Sequence, residues 1–141
     1  MQLKDLMSRE VEVIHPNATI AEAAQRMEAL DVGPLPVCDG ERLVGMLTDR
    51  DITVRATAAG QDPNTTPVRE VMTPDVLYCF EDQDAEEAAT LMEDHQIRRL
   101  PVLNRDHRLV GIVALGDLAL ELDRETSGEV LEQVSQPAKS D

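Results

Sequence analysis

Aromatic residues are almost absent: Tyr78 and Phe80 are the only two, and there is no tryptophan. A core without large rings has to be filled by Val, Leu, Ile, Ala and Met, and it gains from further burial at a subunit interface. Cysteine is equally scarce. Cys38 and Cys79 stand far apart and form no Cys-x-x-Cys pair, so they read as small buried apolar residues. His15, His95 and His107 share no ligand spacing with one another or with the cysteines, which points away from a metal centre. Basic residues are few: 13 Lys and Arg stand against 28 Asp and Glu, a formal net charge of −15. That balance repels phosphate backbones and anionic lipid, so neither nucleic acid nor a membrane is expected as a partner. No apolar run approaches the roughly 20 residues that span a bilayer. The opening residues, Met1-Gln2-Leu3-Lys4-Asp5, hold no signal-peptide core, and the expected location is cytoplasmic. There is no Gly-x-Ser-x-Gly and no Cys-His arrangement to support nucleophilic catalysis, so no enzyme is expected.

What is present is an internal repeat. Lys4-Asp5-Leu6-Met7 returns as Arg69-Glu70-Val71-Met72, Glu22-Ala23-Ala24 as Glu87-Ala88-Ala89, and Leu35-Pro36-Val37 as Leu100-Pro101-Val102, always 65 positions later. One residue is then inserted in a polar turn. Arg42-Leu43-Val44-Gly45 becomes Arg108-Leu109-Val110-Gly111, and Asp51 becomes Asp117, at an offset of 66. A duplicated fold tolerates such a slip in a surface turn. With 141 residues, 42% of them apolar, the chain suits two small halves packed together. The boundaries read as a first repeat over 1–60, a turn-rich linker over 61–68, a second repeat over 69–123 and a polar tail over 124–141. Within the tail, residues 129–134 could form a short helix, and 136–141 read as disordered.

Each copy shows the same order of elements. In the first, a short strand over 11–14 is broken by Pro16-Asn17, and Thr19 with Glu22 matches a capping box ahead of a helix whose apolar residues recur at helical spacing. Asp84 to Glu87 play that part in the second copy. A hairpin follows, with strands over 35–38 and 43–47 around Asp39-Gly40-Glu41, and a helix over 49–58 closes the unit. The order β-α-β-β-α, twice, predicts an α/β (α+β) fold with helices packed on small sheets.

The tandem unit, with Leu-Pro-Val before the hairpin and Gly45-Met46-Leu47-Thr48-Asp49-Arg50-Asp51 after it, resembles the cystathionine-β-synthase (CBS) domain. The resemblance covers residues 3–122 and is strongest to small bacterial two-repeat proteins. It implies a pseudo-two-fold CBS pair, a homodimer, and clefts between the repeats for an adenosine-containing regulatory ligand such as AMP, ADP, ATP, S-adenosylmethionine or NAD. It implies no cofactor and no catalytic residue, and a separate regulated protein as partner.

Two residues carry the candidate site chemically. The Thr48 hydroxyl, with backbone N–H groups expected free at a helix start, suits a phosphate, and the Asp51 carboxylate suits the two hydroxyls of a ribose. Thr-x-x-Asp is also an ordinary capping arrangement, and both readings stay open at this point. The resemblance adds Arg98 and Arg99 as phosphate ligands, which matches the bidentate geometry of Arg. Pairing of one of them with a surface carboxylate is the alternative. It further implies Ser8, Val11, Glu12, Val13 and Val32 as walls of the first cleft, and Thr73, Val76, Leu77, Ile97 and Asp117 for the second. Ala114 stands where the first copy has Thr48, so the second cleft is expected to be weak or empty. Ala114 and the Gly33-Pro34 pair also support a competing reading, a ligand-free dimeric scaffold with vestigial clefts.

Overall fold

The computed structural model describes residues 1–134, and the disorder expected over 136–141 lies outside the described residues. The chain divides into two compact units.

One unit is built from residues 10–77 with 105–109. Helix α1 (Ile20–Leu30) begins where the Thr19 hydroxyl oxygen accepts from Glu22 N at 3.2 Å. It buries Ile20, Ala23 and Met27, three and four residues apart, against the core. Strands β1 (Pro34–Asp39) and β2 (Arg42–Thr48) form an antiparallel hairpin, with a register shift between Val37 and Cys38. Gly40 at its tip has φ +64°, a left-handed conformation that glycine adopts without cost. A short helix α2 (Asp49–Asp51), a π-helix (Ile52–Thr57) and a 3-10 turn (Val68–Glu70) complete the unit. The core gathers Ile14, Ile20, Leu35, Val37, Leu47, Val68 and Val71.

The other unit takes residues 1–9, 78–104 and those from 110 onward. It holds a 3-10 turn (Leu3–Asp5), strand β3 (Cys79–Phe80), helix α3 (Ala85–Asp94), strands β4 (Arg99–Leu103) and β5 (Leu109–Ala114), and helix α4 (Leu115–Val134). The sheet order is β3-β4-β5, with β3 parallel to β4. Leu3, Met7, Met92, Leu100, Val102 and Leu118 anchor its core.

Each unit therefore takes its opening segment from the other copy. Val68 and Val71, at the junction of the linker and the second repeat, are fully buried beside residues of the first. Leu3 and Met7, which begin the first, are buried in the core of the second. Burial of side chains this size contributes about 1.5–3 kcal/mol each, so neither core is complete without the borrowed segment.

Three local expectations are corrected. Residues 11–14 are not a strand: only Ile14 pairs, in parallel, with Val37, through Ile14 N to Pro36 O and Cys38 N to Ile14 O, both 3.0 Å. Of that segment only Ile14 is buried, while Glu12 is exposed, so burial holds a single residue against β1. The expected helix over 49–58 is a three-residue α-turn followed by the π-helix. Ile52, Thr53 and Val54 are β-branched in succession, and the Thr53 hydroxyl donates to Asp49 O at 3.0 Å, both of which disfavour a regular α-helix. The Asp84 side chain makes no capping bond, whereas its backbone pairs with Gln2. The full reciprocal capping box forms at Thr48 and Asp51.

Helices α1 and α3 end alike, without glycine. Asp31 (φ 54°) and Gln96 (φ 55°) are left-handed, and Val32 N to Met27 O and Ile97 N to Met92 O, each 3.0 Å, close the last turns. A side chain in this conformation costs about 1–2 kcal/mol, and glycine removes that strain at some entropic cost. Asp31→Gly and Gln96→Gly are each expected to stabilise the protein by about 0.5 kcal/mol, read as a rise in denaturation midpoint. A fall in midpoint for both would refute this account of the helix ends.

Candidate ligand-binding site

The centre of the candidate site is the end of β2. Gly45 lies in β2 because the segment ahead of Thr73 passes directly over it: an added Cβ would sit 2.6 Å from Met72 Sδ and 2.9 Å from Thr73 O. Met46 and Thr73 pair through two backbone bonds of 2.8 and 2.9 Å. Two residues later the chain turns at Thr48.

There the groups satisfy one another. Thr48 N donates to Asp51 Oδ2 at 3.0 Å, and Asp51 N donates to the Thr48 hydroxyl oxygen at 3.0 Å. The expectation of free backbone N–H groups for a phosphate is overturned. Asp49 N donates to Gly33 O at 3.2 Å, Arg50 N to Asp49 Oδ1 at 2.9 Å, and Asp51 N is in the box. What remains is side-chain capacity. The Thr48 oxygen accepts in the box, so its hydrogen is left to donate. Asp51 Oδ1 makes no hydrogen bond among the described residues; the nearest cation is Arg55 Nε, 3.9 Å away. The Asp51 side chain is 15% exposed, sheltered yet reachable.

The second copy lacks these features. Ala114 has no hydroxyl, so no reciprocal box can form there, and Asp117 is exposed. Leu115 N donates to Arg98 O at 2.7 Å, the counterpart of the Asp49 to Gly33 bond. Gly111 repeats the close approach of Gly45, with Met7 Sδ 2.5 Å and Ser8 O 2.9 Å from an added Cβ.

The other expected residues divide between the units. Val11, Glu12, Val13 and Val32 fall in the unit of Thr48 and Asp51; Ser8, Arg98 and Arg99 belong to the other. Thr73, Val76 and Leu77, expected at the second cleft, share the unit of Thr48, whereas Ile97 shares that of Asp117. Thr73 pairs beside β2, and Ser8 pairs with Ile112 beside β5, because the opening segments are exchanged. Val11, Val13 and Val32 are half-buried, while Glu12, Arg98 and Arg99 are exposed.

Two features escaped the sequence reading. Arg55 approaches Asp51 and donates to Met72 O at 3.1 Å; its i,i+4 spacing from Asp51 was the available signal. An open cavity of about 450 Å³ lies among Asp39, Glu41, Arg42, Asp106, His107 and Arg108, where Glu41 and Arg108 form an ion pair of 2.9 Å. Only the polar turns of the two hairpins announce it.

Cys38 and Cys79 are free thiols, 3% and 2% exposed. Burial pushes the Cys38 thiol up to about 11, and burial with the nearby Glu87 carboxylate raises Cys79. At pH 8 about a thousandth of Cys38 is thiolate. Iodoacetamide is therefore expected to label the denatured protein readily and the native protein very slowly, followed by mass spectrometry. Rapid native labelling would contradict the burial.

The family model described as CBS domain matches residues 3–56 and 68–124. The CBS domain-containing protein YhcV of Bacillus subtilis is 46% identical over 134 residues, covering 94% of each chain. Hypoxic response protein 1 of Mycobacterium tuberculosis is 39% identical over 135 residues, 95% of this chain and 94% of its own. A crystal structure of Hypoxic Response Protein I with two coordinated zinc ions superposes with a TM-score of 0.76 at 42% identity, over 84% of this chain and 97% of that one. CBSX2 in complex with AMP superposes at 0.74 and 25% identity, covering 89% and 98%. The CBS domain pair of MJ0100 with 5-methylthioadenosine and S-adenosyl-L-methionine does so at 0.71 and 31%, covering 92% and 98%. Among the described residues no three or more His, Cys, Asp or Glu side chains group to hold a metal, and no zinc role is assigned. No helix there is long and apolar enough to cross a membrane.

Proposed function

The chain belongs to the CBS-domain family, and from that premise we propose that it is a non-catalytic regulatory module that binds an adenosine-containing ligand and signals to a separate protein. The observation that carries the reading is the spare capacity of the Thr48–Asp51 pair: a hydroxyl hydrogen to donate and a carboxylate oxygen, Oδ1, to accept. These suit a phosphate oxygen and a ribose hydroxyl. Relatives that carry AMP or S-adenosyl-L-methionine support the same ligand class.

With the backbone N–H groups consumed, phosphate charge needs another source, and the family resemblance assigns it to Arg98 and Arg99. Ser8, Val11, Glu12, Val13 and Val32 are assigned to the walls around the adenine. A site of the second copy, with Thr73, Val76, Leu77, Ile97 and Asp117, is weaker because it lacks the Thr48 hydroxyl. The protein works as a cytoplasmic homodimer in this reading.

One observation favours a second reading, a scaffold without ligand. Thr48 and Asp51 satisfy each other through reciprocal bonds, as a purely structural cap would. Calorimetry with AMP, ADP, ATP, S-adenosylmethionine and NAD separates the two. Saturable heat from at least one supports the regulatory reading. Silence from all five at millimolar concentration overturns it in favour of the scaffold.

A further inference from the structure

Asp51 is approached from two sides, and only one of them is the capping box. Thr48 N takes its Oδ2 at 3.0 Å. Toward Oδ1 stands Arg55, four residues on, with Nε 3.9 Å away. This guanidinium is half exposed, yet it is tethered: its Nη1 donates to Met72 O at 3.1 Å and, more weakly, to Val71 O at 3.4 Å. We infer that Arg55 is a positioning residue, which fixes the Asp51 carboxylate so that Oδ1 is presented to a vicinal diol. The inference deepens the reading of Asp51 as a ribose acceptor and rests on it.

A separation of 3.9 Å is too long for a hydrogen bond, so the lone pairs of Oδ1 are not consumed. It is close enough for a held positive charge to orient a carboxylate that is otherwise fixed through Oδ2 alone. Arg suits this task because its planar fork spends one nitrogen on the carbonyls and turns another toward the acid. A tethered cation keeps its place when the ligand arrives, whereas a loose one would have to be ordered at that moment.

The second copy supplies the contrast. The position matching Arg55 at the offset of 66 is Glu121, which pairs with Arg124 at 3.6 Å. A carboxylate four residues after Asp117 repels it rather than orienting it. Hydroxyl, carboxylate and arginine occur together only in the first copy.

The test is calorimetry of the full chain with AMP and with 2′,3′-dideoxyadenosine monophosphate, which lacks the diol. Wild type is expected to prefer AMP by about thirtyfold, the effect of losing both of the diol's hydrogen bonds to a charged group. Arg55→Gln should lose that preference while binding the dideoxy nucleotide as wild type does, which also shows that it is folded. Arg55→Lys, which keeps the charge but not the fork, should restore part of it. A preference that survives in Arg55→Gln, or an equal loss for both nucleotides, overturns the positioning role. Wild type binding both nucleotides equally overturns it too and leaves the adenosine reading standing. Wild type binding neither nucleotide brings down the adenosine reading together with this one.

Discussion

Gly111→Ala is expected to destabilise the protein by about 3 kcal/mol, the sum of overpacking a filled core and loosening a backbone pair. The added Cβ would lie 2.5 Å from Met7 Sδ and 2.8 Å from Met7 Cγ, and Met7 is buried. Methionine is flexible, so rotation alone could relieve those two contacts. It cannot relieve the third, Ser8 O at 2.9 Å, because Ser8 is held by Ser8 N to Ile112 O (2.9 Å) and Ile112 N to Ser8 O (3.0 Å). The backbone of the borrowed segment must therefore retreat from β5, and Leu3 and Met7 leave the core with it. For a chain of this size the loss corresponds to a fall in Tm of about 10 °C. Gly116→Ala is the control: nothing lies within 4 Å of its added Cβ, and alanine in a helix is worth about 0.5–1 kcal/mol over glycine. Adding Met7→Ala to Gly111→Ala should not rescue the protein, since the Ser8 contact persists and the buried Met7 side chain is lost as well. A Gly111→Ala protein that melts with wild type would refute the close approach. Gly45→Ala is expected to behave alike through Met72 and Thr73 O.

These glycines mark where sequence reasoning reached and where it stopped. The duplication made the hairpins and the helices α1 and α3 legible, because Leu-Pro-Val and the apolar spacing recur at a fixed offset. It also repeated a glycine, Gly45 and Gly111, in the second strand of each hairpin. It could not say that the approaching backbone is the opening segment of the other copy. A linear pattern states which residues are apolar, and exchange of equivalent segments leaves every apolar position apolar. For the same reason Thr73 and Ser8 were assigned by order along the chain, whereas they pair beside Met46 and Ile112. The Thr48–Asp51 motif was visible, but the fate of its neighbouring N–H groups was not. That depends on Gly33 O, a backbone atom with no signature in residue type. Arg55 was missed because motif reading ended at Asp51, although an acid followed by arginine at i+4 is a recognised pairing.

The other large effect is expected at Asp51. Asp51→Ala removes half of the capping box and the only acceptor proposed for the ribose, so stability and affinity should fall together. The cap is worth about 1 kcal/mol. Two hydrogen bonds from a diol to a carboxylate are worth more, and their loss should weaken an adenine nucleotide by about thirtyfold or beyond. Asp51→Asn separates the terms. It keeps an oxygen for Thr48 N and therefore most of the cap, but it gives up the charge that strengthens a bond from a hydroxyl. Its stability should stay near wild type while nucleotide affinity drops. Asp117→Ala, at an exposed position beside Ala114, should change neither by more than a few tenths of a kcal/mol. The regulatory and scaffold readings diverge sharply on this set. Both expect Asp51→Ala to melt earlier than wild type in the absence of nucleotide. Only the regulatory reading expects wild type and Asp117→Ala to gain Tm with added nucleotide while Asp51→Ala does not, because a ligand stabilises the native state in proportion to its occupancy. Equal nucleotide-induced gains in Asp51→Ala and wild type would move the ligand away from this carboxylate altogether.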